Sequence, residues 1–90
     1  MNELPPVIMT FPTLDQAESA LDWIGLDFED AEGGFEGDLI PEDAELLAQT
    51  LSDPETPLEV RALATQLRDL LARAVADGDE WATWRVGFAG

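Results

Sequence analysis

The chain contains no cysteine, no histidine, no tyrosine and no lysine. Each absence excludes something. Without cysteine there is no disulfide staple, and without cysteine or histidine the usual zinc ligand sets cannot be built. Nucleophilic catalysis is left with serine and threonine hydroxyls, and with carboxylates as the only bases. Ser19 falls inside an expected helix and Ser52 at the end of another, so both read as ordinary helix residues. A carboxylate pair can hydrolyse glycosides, but 90 residues leave little room for a sugar cleft. An all-carboxylate magnesium site is the remaining catalytic option. The sequence is therefore read as that of a non-enzymatic protein with no cofactor and no dedicated metal site. Long apolar runs are also missing, and none approaches the roughly 20 residues that span a bilayer. The opening MNELPPVIMTF has no basic n-region of the kind a signal peptide carries. The expectation is a soluble, cytoplasmic protein that makes no membrane contact.

Apolar side chains are not scarce. The chain is 46% hydrophobic, with three tryptophans and four phenylalanines, which is not a disordered composition. Ninety residues without a staple suit one domain, 1–90, near the small end of what can bury a core. Twenty acids face four arginines, for a net charge of −16. Residues 1–60 hold sixteen acids and no base, whereas residues 61–90 hold four acids and all four arginines. The net charge thus belongs to the first two-thirds of the chain. Such a field repels nucleic acid and anionic membrane and speeds encounter with basic partners.

Local signals predict an α+β fold. Leu4–Pro12, LPPVIMTFP, is β-branched and aromatic with prolines at its ends, as an edge strand tolerates. Thr13 and Gln16 have the spacing of a capping box, and Leu14, Ala17, Leu21 and Ile24 recur at helical spacing up to Gly25. A second helix is expected over 41–52, with Pro41 in its first turn and Glu42, Asp43 and Glu45 near its positive end. Thr56-Pro57-Leu58-Glu59 combines a threonine cap, an N-terminal proline and a glutamate at the third position. The stripe Val60, Leu63, Leu67, Leu70, Leu71, Ala74 and Val75 then predicts a helix over 57–77, closed by Asp77-Gly78. In EWATWRVGF, Ala82, Trp84, Val86 and Phe88 alternate with Trp81, Thr83 and Arg85, as in a half-buried strand. The reading is a small single α+β domain, with N- and C-terminal strands paired in one sheet. Three helices, about 14–24, 41–52 and 57–77, pack on it.

The stretch DFEDAEGGFEGD, Asp27 to Asp38, holds six carboxylates and three glycines and no cation. Apolar residues alternate on either side of Gly33-Gly34, which predicts a hairpin of strands 26–31 and 35–40. An ordered acidic loop is the alternative. A calcium loop does not fit in either register. With Gly33 at the sixth position the first is Phe28, and with Gly34 there the third, fifth and twelfth are Ala31, Gly33 and Ile40. Bulk size and acidity resemble those of acyl carrier proteins, but no Asp-Ser-Leu at a helix start is present.

If the hairpin turns at Gly33-Gly34, Glu29 faces Asp38, with Asp27 and Glu36 on the same side. Like charges placed opposite one another destabilise a sheet, so the pattern implies a use that offsets this cost. Carboxylates on one strand face recur about every 6–7 Å, a spacing of the kind phosphates present along a nucleic acid. The candidate partner-binding residues are Asp27, Glu29, Asp30, Glu32, Glu36 and Asp38, continued by Glu42, Asp43 and Glu45. Trp23, on the flank of the first helix, is a candidate anchor of the type enriched at interface hot spots. The expected function is a non-enzymatic acidic protein that binds a basic, nucleic-acid-handling protein by charge mimicry and blocks it. It would bind no nucleic acid itself. In physical logic, though not in sequence, this is how anti-restriction, anti-CRISPR and antitoxin-type inhibitors work. The alternative is an interaction module whose interface is apolar, at Trp23 or Trp81, with acid serving only solubility.

Overall fold

A computed structural model describes residues 7–89. Its elements in chain order are β1 (Val7–Phe11), α1 (Leu14–Ile24), β2 (Glu29–Ala31), β3 (Gly34–Leu39), α2 (Asp43–Ser52), α3 (Leu58–Ala76) and β4 (Ala82–Phe88). This is the expected α+β class, although Leu4 to Pro6 of the first expected strand lie outside the described residues. The four strands form one sheet in the order β1-β4-β3-β2. The terminal strands are neighbours, as expected, and run parallel. The other two pairings are antiparallel. β4 is therefore interior and flanked on both sides.

The alternation in β4 decides which face is covered. Ala82, Trp84 and Val86 are buried, together with Leu39 and Phe35 of β3 and Phe11 of β1. These join Ala17, Leu21 and Ile24 of α1, Leu47 of α2 and Val60, Leu63, Leu67 and Leu71 of α3 in one core. The helices thus cover one face only. The thinnest dimension of the molecule, 17 Å, is that of a sheet carrying a single layer of helices. The other face, with Glu36, Asp38, Thr83 and Arg85, is left to solvent.

Two local expectations are corrected. Thr13 caps α1 by accepting the Gln16 amide at 3.2 Å, and the helix ends at Gly25 as its spacing predicts. Thr56, by contrast, does not cap α3. Its side chain is buried and its hydroxyl donates to the Thr50 carbonyl at 2.8 Å, reaching back to the last turn of α2. At that helix end the Thr50 carbonyl receives only a long bond from the Asp53 amide, at 3.4 Å, and the hydroxyl adds the shorter one. Arg61 does the same from α3, donating to the carbonyls of Thr56 and Leu51 at 3.2 Å each and to that of Asp53. The joint between α2 and α3 is held by side chains on backbone carbonyls. In α2, Pro41 and Glu42 form a turn ahead of the helix, which begins at Asp43 rather than at 41. The Asp43 carboxylate accepts the Ile40 amide at 2.9 Å and so closes that turn.

Candidate functional site

The acidic stretch is a hairpin, with a register two residues from the expected one. Glu29 pairs with Glu36, Asp30 with Phe35 and Ala31 with Gly34, so the turn is Glu32-Gly33. Gly33 takes the second turn position with φ 78°, the positive value that a type II turn requires there and that glycine adopts without strain. Gly34 is spent differently. It lies so close to β4 that a Cβ there would collide with the Val86 carbonyl oxygen. Glu29 consequently faces Glu36, not Asp38. β2 is also only three residues long, and Asp27 and Phe28 run past β3 without pairing.

A shift of two preserves the face, because side chains alternate with period two. Asp27, Glu29, Glu36 and Asp38 all line one open concavity of about 480 Å³, together with Phe28, Gly37 and Thr83. The concavity sits where β2 ends and the chain before it diverges from β3. Gly37 has no side chain for a packing reason: a Cβ would stand 2.6 Å from Cζ2 of the buried Trp84 and 2.9 Å from the Asp27 carbonyl oxygen. Phe28 turns to the core side and meets the Phe35 ring edge-on at 4.9 Å.

The sheet sets two β4 side chains beside these acids. Thr83 pairs with Asp38 and its hydroxyl donates to the Asp38 carboxylate at 2.7 Å. Arg85 lies opposite Glu36, yet its guanidinium is turned to the Glu32 carbonyl at 3.4 Å. Among the described residues the one ion pair is Arg68–Asp69, exposed and 3.6 Å apart. The four carboxylates therefore have one arginine near them and no direct ion pair. Nor do they converge: no group of three or more acidic side chains among the described residues is arranged to hold a metal ion. The geometry is a spread of like charge on a concave surface.

No known family, curated protein or solved structure matches this chain. Its site is read from its own geometry.

The other candidates lie elsewhere. Asp30 and Glu32 are exposed on β2 and in the turn, and neither lines the concavity. Glu42, just ahead of α2, and Glu45, in its first turn, are exposed, and the Asp43 carboxylate is engaged with the Ile40 amide. Trp23 is 47% exposed, but it faces a groove between α1 and the start of α3, on the side of the sheet opposite the acidic concavity. Trp81 is 57% exposed beside Asp79 and Glu80, just before β4. Thr83 and Arg85 are neighbours of the acids that local sequence signals did not reveal. Their alternation in β4 had put them on the outer face; that β4 adjoins β3 was not legible.

Proposed function

We propose that the protein is a non-enzymatic binding protein whose uncovered sheet face engages a basic, nucleic-acid-handling protein by charge mimicry and so blocks it. The observation that carries this reading is the concavity at the end of the hairpin, where Asp27, Glu29, Glu36 and Asp38 gather without chelating geometry and without a paired cation. Such a surface suits arginine and lysine side chains spaced to hold a phosphate backbone. Low-dielectric walls on a single-sign cleft focus its field and speed association.

The test is affinity capture from lysate of the native host with the natural protein and with a variant carrying Asp27→Asn, Glu29→Gln, Glu36→Gln and Asp38→Asn. The captured partner should elute with salt and be displaced by duplex DNA or RNA. Its association with the neutralised variant should slow by at least about tenfold, since steering contributes roughly 10–10³ to on-rates. Equal capture by both proteins, or indifference to nucleic acid, would discard the proposal.

A second reading, an apolar interaction module, has its own support. An open groove of about 510 Å³ between α2 and α3 is lined by Pro41, Ala44, Leu71, Ala72, Val75 and Ala76, with Arg68 at its rim. In that case partner binding is nearly indifferent to ionic strength and survives neutralisation of the four acids.

A further inference from the structure

The groove that holds Trp23 is separate from the acidic sheet face. One wall is a single face of α1, with Asp15, Gln16, Ser19, Ala20 and Trp23. The other is the start of α3, with Pro57, Glu59 and Val60. The groove encloses about 190 Å³. From Asp15 to Trp23 the helix rises roughly 12 Å at about 1.5 Å per residue, which an extended segment covers in about three to four residues at roughly 3.3 Å each.

Its lining combines an indole, an apolar floor of Ala20, Val60 and Pro57, and two exposed carboxylates. No arginine of this chain lines it. Arg61 is committed to backbone carbonyls, Arg68 pairs with Asp69, Arg73 lies in the last turn of α3, away from its start, and Arg85 stands on the opposite face of the sheet. An apolar occupant would strip water from Asp15 and Glu59 and return no hydrogen bond, which is costly. An anionic occupant is repelled by both. Side chains with an alkyl stem and a cationic head, spaced along an extended segment, suit the lining as a whole. The stem lies on the apolar floor, the cation stacks over the indole, and the charge is answered by the carboxylates. Arginine fits best, because its planar guanidinium stacks on an aromatic ring and still donates to a carboxylate.

We propose that the groove between α1 and the start of α3 is a docking site for an arginine-bearing extended segment of a protein partner, held by Trp23 with Asp15 and Glu59. The proposal is independent of the sheet face and stands or falls without it.

The probe is the capped peptide acetyl-Ala-Arg-Arg-Ala-amide, with citrulline and norleucine counterparts, titrated against ¹⁵N-labelled protein. The protein is the variant neutralised at Asp27, Glu29, Glu36 and Asp38, so that binding to the sheet face is suppressed. The arginine peptide should shift the Trp23 indole N–H and the amides of 15–23 and 57–60, and the citrulline peptide should bind at least about fivefold more weakly. Trp23→Ala should abolish these shifts, and Asp15→Asn with Glu59→Gln should weaken binding by at least about fivefold while the fold, read from the remaining amides, is kept. Three results would overturn the proposal. They are the absence of shifts in the groove, a norleucine peptide that binds as well as the arginine one, and undiminished affinity in the Asp15, Glu59 variant.

Discussion

At the residue scale, the site depends on what is withheld as much as on its acids. Gly37 has no Cβ, so the buried Trp84 indole can lie against β3 directly beneath the concavity. Overpacking a filled interior typically costs about 1–3 kcal/mol, and the Gly37→Ala variant is expected to lose stability in that range, measured by urea unfolding. Thr56 illustrates how one side chain serves a different partner from the nearest one. Its hydroxyl is a donor to the Thr50 carbonyl, so Thr56→Ser keeps that bond and should lose only the burial of one methyl, about 1 kcal/mol. Thr56→Val leaves the Thr50 carbonyl with only the long bond from the Asp53 amide, 3.4 Å, and should cost on the order of 1 kcal/mol. Were Thr56 an exposed helix cap, Val and Asn there would differ strongly; as a buried donor, Asn should be no better tolerated than Val. Thermal unfolding of the three variants separates the two roles.

Among the elements, β4 and α3 form the structural centre. β4 is hydrogen-bonded on both sides, and its Trp84 and Val86 are buried against α1 and α3. The leucine stripe of α3 faces the same core. Amides in these two elements should exchange slowest with deuterium, near the rate of global unfolding, whereas those of the three-residue edge strand β2 should exchange by local opening. Slower exchange in β2 than in the middle of α3 would contradict this order.

For the whole molecule, the net charge of −16 is met by one ion pair among the described residues, and that pair is exposed. Self-repulsion of this kind opposes the compact state and is screened over a Debye length of about 8 Å at physiological salt. The melting temperature should therefore rise between low salt and about 0.15 M sodium chloride. A gain of 1 kcal/mol corresponds to roughly 4–8 °C for a domain of this size, so the shift is measurable by calorimetry. A flat or falling response would mean that the acids are compensated locally, and the hairpin would then have no strain to relieve on binding. No helix of the described residues is long and apolar enough to cross a membrane.

The local part of this structure was legible in the sequence. Apolar periodicity located the three helices, with Thr13 capping α1 as its spacing predicts, the alternation in 82–88 assigned the buried and exposed faces of β4, and the pairing of the terminal strands followed from their being the two strong strand signals. The acidic segment was correctly placed in a hairpin with Asp27, Glu29, Glu36 and Asp38 on one side, because a register error of two residues leaves every side chain on its own face. Tertiary structure decided the rest. The turn moved to Glu32-Gly33 because Gly34 is needed where β3 closes on β4. Thr56 abandoned its cap because burial set it against the end of α2. Sequence proximity suggested that Trp23 adjoins the acids, yet the sheet lies between them, since helix α1 crosses its covered face and the carboxylates point from the open one. Which strands adjoin, and on which side of a sheet a helix lands, is set by long-range packing, and no window of neighbouring residues contains it.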